Sequence, residues 1–355
     1  MQRNKIDFWR VYFAFLVVSV HSSSLLAENE TFSMFQGGYI AVEFFFILSG
    51  FFMMQSVSRA PKCSVESVGT ETISFLWRKI KQLFPYFITG FIISFAISHI
   101  VWKTTWYSLI KDLAYSVYEI LFLGMLNVHS LFNSVAWYIS AMLFAYLILY
   151  PIARLIPDFY GKVISFVLFS FYLCWVTKRT GFISLGNMTH YGAMLGGTIR
   201  AIAMMSLGAF LFAVSVPLTK IRFTSLSKKC FKVVEIAGYL TVGIAAYFRW
   251  NSTLDYVLLV ILATSMLITL RNLSCKTILF NNKQLKFMSN FSYVLFVTHG
   301  RISRLVKYLL PDCSYVERLL PYYILCVLVA LVCMMIVPGI GRFISSKKKY
   351  LVEEN

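Results

Sequence analysis

Arg10 and His21 lie eleven residues apart in the apolar segment DFWRVYFAFLVVSVHSS, and that spacing carries the first chemical expectation. At 100° per residue, eleven steps make about three helical turns and leave the two side chains roughly 20° apart on one face. At 1.5 Å per residue they stand about 16 Å apart along the axis. Titratable groups inside a membrane span are costly, and such a pair reads as functional. His21 is a candidate general base in the outer half of its span. Glu43 opens the next apolar segment, GGYIAVEFFFILSGFF, at a comparable depth. A carboxylate bonded to one imidazole nitrogen fixes the tautomer and raises the basicity of the other, so a His21–Glu43 pair is expected. The plainer alternatives are an imidazole satisfied by a neighbouring helix and a carboxylate facing loop water.

Arg10 follows Asp7 by three residues, a spacing that lets the carboxylate orient the guanidinium. Its planar fork suits a phosphate, whereas a plain reading has it snorkelling to headgroups. The stretch WRKIKQLFPYF adds Arg78, Lys79 and Lys81 just before the third span, and Pro85 is expected to kink that helix or set its start. Near the C-terminus, NFSYVLFVTHGRISRL puts His299 at a depth like that of His21, with Arg301, Arg304 and Lys307 continuing outward. His299 and Arg301 are the deeper candidates; Arg304 and Lys307 read as interface residues. Arg200, in GGTIRAIAMMSLGAF, falls in the outer third of its span. Trp137, Tyr138 and Ser140 open another span in AWYISAMLFAYLILYPI, where a Trp-Tyr pair is also ordinary interface chemistry.

Elements that position these residues follow from composition. The chain is 59% hydrophobic and only 14% charged, which excludes a soluble globule and predicts an all-α polytopic membrane protein. Ten spans are predicted near 6–26, 39–57, 83–102, 135–153, 162–177, 193–216, 231–248, 254–270, 288–309 and 321–343. The apolar stretch 113–126 is short, carries Glu119 and reads as interfacial or re-entrant. With both termini cytoplasmic, 22 of the 33 Lys and Arg fall on inner segments, 6 on outer segments and 5 within spans. An eleventh span would put KIRFTSLSKKCFK outside, against the positive-inside tendency. The net charge of +18 is thus mostly this bias plus attraction to anionic lipid, and no nucleic-acid partner is expected. Seven cysteines offer no outer pair for a disulfide, and no spacing suggests a metal. Leu25-Leu26-Ala27 resembles a signal cleavage site, but Arg10 and His21 interrupt the apolar run and cleavage is not expected.

In order along the chain, these segments resemble the membrane-bound acyltransferase-3 family of bacterial O-acyltransferases. The shared features are D-x-x-R-(x10)-H at Asp7, Arg10 and His21, VEFFFILSGF at 42–51 and the basic-then-proline stretch 78–85. WYISA at 137–141, GGxxR at 196–200 and S-Y-(x5)-H at 292–299 complete the set. The resemblance implies a single membrane acyltransferase domain over 1–355, in the form without a fused periplasmic hydrolase-like domain. It implies His21 as the essential base, Arg10 as a coenzyme A phosphate ligand, and contributions from Glu43, Arg78, Trp137, Ser140 and His299. Two departures are visible: Gln82 stands where the family often has a second arginine, and Ala41 where a glycine usually precedes Val42.

Residues and resemblance together lead to one expected reaction. Acetyl-coenzyme A binds from the cytoplasm, its phosphates held by Arg10, Arg78, Lys79 and Lys81, and its pantetheine arm follows the Arg10–His21 face. His21, oriented by Glu43, deprotonates a hydroxyl of a cell-surface or lipid-linked glycan. Arg200, His299 or Ser140 steadies the oxyanion, with Trp137 and Arg301 as further substrate contacts. A variant makes His21 itself the acyl carrier. Acyl-CoA, a glycan acceptor and membrane lipid are the expected partners, with a separate periplasmic acyltransferase as a further one. No metal is expected, and the location is the bacterial inner membrane. The acyl group is expected to be acetyl, with succinyl open. A transporter or flippase of lipid-linked sugars is the competing function, though no internal repeat supports it; a lipid or pH sensor is third.

Overall fold

The computed structural model describes residues 4–353 apart from 29, 128, 249–252 and 276–280, with side chains described through 338. Arg3, Arg249, Lys276 and the 342–349 run, all used in the charge count, lie outside the described side chains.

Helices build almost the whole chain. They are α1 (Asn4–Val20), α2 (Ile40–Val57), α3 (Val68–Trp102), α4 (Trp106–Tyr115), α5 (Val117–Ile120) and α6 (Ala136–Leu155). A short α7 (Pro157–Phe159) runs through a π turn, Tyr160–Ile164, into α8 (Ser165–Thr180). After them come α9 (Gly196–Ser215), α10 (Ser225–Phe248), α11 (Asp255–Arg271), α12 (Asn282–Thr298), α13 (Ile302–Leu309) and α14 (Tyr315–Glu353). The sheet content among the described residues is one hairpin, β1 (His190–Tyr191) against β2 (Met194–Leu195).

The protein is therefore all-α and polytopic. Seven helical stretches among the described residues have the length and apolar composition to cross a bilayer. Three more, α1, α11 and α12, are 17 residues each, at the short end of the spanning range. Together these ten fall on the ten expected spans. The 113–126 stretch does not form a spanning helix: it contains the end of α4, α5 and a 3₁₀ turn at Gly124–Leu126.

Three boundaries differ from expectation, each for a local reason. The first α-helix stops at Val20, and His21–Leu25 form a 3₁₀ turn. Ser19 Oγ donates to Phe15 O at 2.8 Å and Ser23 Oγ to Val20 O at 3.1 Å, so hydroxyls compete for the helical carbonyls. The third span starts at Val68, so Arg78, Lys79, Lys81 and Pro85 all lie within α3 rather than before it. The expected 288–309 span is broken into α12 and α13 at His299–Arg301.

Two apolar cores hold the bundle. The larger joins α1, α2, α6, α9, α10 and α11 around residues such as Phe13, Phe44, Phe51, Met205 and Tyr239. In it α2 and α9 touch backbone to backbone: a Cβ on Gly50 would overlap the Met205 main chain, and one on Gly208 the Ile47 carbonyl. Small residues permit that approach, and in lipid such packing is what holds helices together. The second core packs α1 and α3 against α12, α13 and α14 through Ala14, Val18, Ile97, Leu295 and Tyr322.

Candidate active site

Arg10 and His21 both face α12. Arg10 Nη1 donates to Ser289 Oγ at 2.7 Å and lies 3.5 Å from Asp7 Oδ1. Eleven residues later the His21 ring meets His299, with ring centroids 5.1 Å apart and planes inclined at 58°. Ser289 and His299 are ten residues apart on α12, so the two helices run side by side in the same direction. Arg10 on α1 and His21 in the turn that follows it thus meet the same neighbour, α12.

His299 is the C-cap of α12 and is wholly buried. Its Nδ1 lies 3.1 Å from the Leu295 carbonyl, and its Nε2 has no hydrogen-bond partner among the described residues. The helix break that places it would leave backbone groups unsatisfied in lipid. Asn133 Nδ2 donates to Val297 O at 2.8 Å and Ser134 Oγ to Gly300 O at 3.0 Å. Gly300 lets this loop approach closely: a Cβ there would come within 2.6 Å of Asn133 Oδ1 and force that side chain to shift. Arg301 turns back to the same loop, donating to Phe132 O at 2.6 Å and Leu131 O at 2.8 Å. Glu119 holds that loop by accepting the Phe132 and Asn133 N–H groups at 2.8 and 3.0 Å.

The turn carrying His21 is held from the other side by α14. Tyr322 OH donates to Val18 O at 2.9 Å, Arg318 Nη1 to Leu25 O at 2.6 Å, and Tyr315 OH pairs with Ser22 Oγ at 2.8 Å. In the loop beyond, Glu30 accepts N–H groups from Ala27 and Tyr315, which holds its carboxyl below the usual range. The His21 ring is partly open, and its nitrogens make no hydrogen bond among the described residues.

At the other end of the α1–α12 seam is a cleft of about 960 Å³. Arg10, Arg59, Lys79 and Lys286 give its mouth four cationic side chains. Phe45, Phe52, Tyr138, Tyr293 and Phe296 also line it, together with Asp7 and the polar side chains of Ser49 and Ser292. Phe296 packs on Tyr138 at 5.1 Å and lies 6.0 Å from His299, ring to ring. The imidazole pair thus stands one aromatic layer beyond the inner end of the cleft. Four cationic side chains and a set of aromatic rings lining one cleft suit an elongated molecule with an anionic head and an uncharged tail.

Several expected site residues are elsewhere. The His21–Glu43 pair does not form. Glu43 is fully buried and bonds Arg200 Nε at 2.6 Å through Oε1. Arg200 also donates to Asn187 Oδ1 at 3.2 Å and Tyr39 O at 3.0 Å, so all three of its nitrogens are committed to the chain. Equal depth is the wrong criterion for pairing Glu43; the guanidinium brought by α9 is the stronger partner for a carboxylate in lipid. Ser140 is equally engaged, donating to Phe122 O at 2.6 Å and accepting Met125 N–H at 3.0 Å. Trp137 packs against Phe46 and Gly197. Arg301 serves the loop described above. Of the basic run, Lys79 lines the cleft with Gln82, whereas Arg78 is exposed and Lys81 lies over the Trp77 ring at 5.2 Å.

The cleft also holds residues that sequence reasoning passed over. Arg59 and Lys286 counted only as topology charges, and Ser289 drew no attention. The one available signal is periodic: Lys286, Ser289 and Tyr293 recur at three and four residues on α12, a polar stripe on an apolar helix.

The α1–α12 seam thus has a cleft bearing cationic side chains at one end and two imidazoles toward the other. The acyltransferase domain family model matches residues 3–337, and the chain belongs to that acyltransferase-3 family. No curated protein and no solved structure matches the chain. It is a membrane acyltransferase, and membership decides between the transferase and transporter readings.

Proposed function

We propose that the protein moves an acyl group, acetyl in the simplest case, from acyl-coenzyme A to a hydroxyl of a cell-surface or lipid-linked glycan. One observation carries this reading: the cationic cleft and the histidine pair lie on the same α1–α12 seam, joined by Arg10–Ser289 at one end and His21–His299 at the other. The end bearing Arg10, Arg59, Lys79 and Lys286 faces the cytoplasm of a bacterial inner membrane and takes the coenzyme A phosphates. The positive-inside charge distribution supports that orientation. The uncharged pantetheine arm lies along the aromatic rings of the cleft, and the thioester reaches the imidazoles when the Phe45–Tyr138–Phe296 layer parts.

His21 then acts as general base. It takes the proton of the acceptor hydroxyl as the oxygen attacks the thioester carbonyl; the C–O bond forms, the C–S bond breaks, and the proton passes to the departing sulfur. A positioned base of this kind contributes on the order of 10²- to 10⁴-fold. The partly open face of His21 is where the acceptor arrives, from the side opposite the cleft.

Purified protein is expected to bind acetyl-coenzyme A, and surface glycan from cells with the chain is expected to carry acetyl esters missing from cells without it. Isothermal titration and mass analysis of the glycan read the two outcomes. Identical glycans together with no donor binding would remove the proposal.

A further inference from the structure

His299 is wholly buried and carries an acceptor with nothing to accept. The Leu295 carbonyl, 3.1 Å from Nδ1, can only accept a hydrogen bond, so Nδ1 carries the proton of the neutral ring. The lone pair is therefore on Nε2, which is buried and unpartnered among the described residues. Buried acceptors are almost always satisfied, and one left open beside a cavity or a titratable neighbour signals a role. The neighbour is His21, whose ring centroid is 5.1 Å away and whose ring nitrogens make no hydrogen bond among the described residues. With His299 Nδ1 held on the Leu295 carbonyl, a turn of the His21 ring is the movement needed to bring one of its nitrogens to hydrogen-bond distance of Nε2.

Among the described residues no carboxylate is hydrogen-bonded to either ring. Glu43 bonds Arg200 through Oε1 and its buried Oε2 has no hydrogen-bond partner among the described residues, while Glu119 accepts two backbone N–H groups of the 131–135 loop. The position of His299 is also unusually well fixed, because Asn133, Ser134 and Arg301 clamp the break from one side while α14 clamps the His21 turn from the other.

We propose that His299 is the positioning residue for His21: its Nε2 accepts the N–H of the His21 ring and leaves the opposite His21 nitrogen bare toward the acceptor hydroxyl. The identity of the hydroxyl rests on the acyl-transfer reading; the tautomer coupling does not. When the hydroxyl proton arrives, His21 becomes an imidazolium whose other N–H stays bonded to His299. The C-terminal end of α12, negative in its dipole, steadies that charge. The proton then leaves with the sulfur, and neither ring gains or loses one over the cycle.

Diethyl pyrocarbonate, which acylates a bare imidazole nitrogen, reads the coupling without any acceptor. Carbethoxylation of His21 is followed by peptide mass spectrometry in membranes holding the wild-type chain, His299→Gln or His299→Phe. Glutamine keeps an acceptor oxygen, so His21 is expected to react within about twofold of wild type. Phenylalanine keeps the volume without the acceptor, and the rate is expected to fall about tenfold, the worth of one net hydrogen bond. Equal rates in wild type and His299→Phe overturn the proposal, as does an equal loss in both variants when thermal scans show them folded. If His299→Phe fails to fold, His299→Leu takes its place in the same comparison. In the transfer assay with acetyl-coenzyme A and envelope glycan, His299→Phe is expected to lower kcat with the donor Kd unchanged. Absence of transfer in the wild type, with the carbethoxylation order intact, sinks the acyltransfer chemistry proposed above and leaves the histidine coupling standing.

Discussion

Arg10 and Arg200 are both guanidinium groups set among apolar helices, and each lies close to a carboxylate. Around Arg200 the chain supplies every partner: Glu43, Asn187 and the Tyr39 carbonyl take its three nitrogens, and the group is 1% exposed. Around Arg10 the chain supplies Asp7 and Ser289, and the side chain also forms part of the wall of an open cleft. A charge in lipid demands compensation, but whether the compensation comes from the fold or from a ligand separates a latch from a binding group. Arg301 and Arg318, each bonded to carbonyls of its own chain, belong with Arg200.

The contrast yields graded expectations. The largest belongs to the seam: His21→Ala is expected to lower acyl transfer by about 10²- to 10⁴-fold with donor affinity kept, measured with labelled acetyl-coenzyme A in membranes. Full activity in that variant would end its assignment as the base. Next is the latch. Glu43→Ala leaves Arg200 buried without its carboxylate and is expected to cost about 3–5 kcal/mol of stability, seen as a lower melting temperature in detergent. A variant that melts normally but loses turnover would move Glu43 back to the chemistry.

Arg10→Ala is expected to weaken acetyl-coenzyme A binding by about tenfold or more, as removal of a charge-assisted hydrogen bond implies, with the melting temperature little changed. The opposite result, normal affinity and a large loss of stability, would make Arg10 a second latch. The smallest effect concerns the loop outside the spans. Backbone N–H groups hold the Glu30 carboxyl below its ordinary value, so its contribution to stability is present above the unfolded pKa and lost as pH falls through the folded one. Glu30→Gln is expected to flatten that acid limb in thermal melts taken across pH 3–6, an interval set about the ordinary glutamate value.

Much of the frame is legible in the order of residues alone. Ten apolar segments and the charge bias locate the spans, and helical periodicity puts Arg10 and His21 on one face. Partner choice is not legible. Glu43 finds Arg200 across 157 positions of sequence, and nothing local to either residue announces the other. The break at His299–Arg301 is only half visible: the glycine of Thr-His-Gly-Arg is a stop signal, but the arrival of Asn133 and Ser134 to take the freed carbonyls is not. Arg59 and Lys286 illustrate a different limit, since a cation that sets topology and a cation that lines a cleft look alike in one dimension.

Because α1 and α12 run in the same direction with matched contacts at both ends, the seam behaves as a measuring rod graduated by the helical rise. Ten helical steps from Arg10 to Val20 and nine from Ser289 to Thr298, each followed directly by a histidine, set that length at about 14–15 Å along the axes. A molecule that touches rim and rings at once must therefore extend over at least that length.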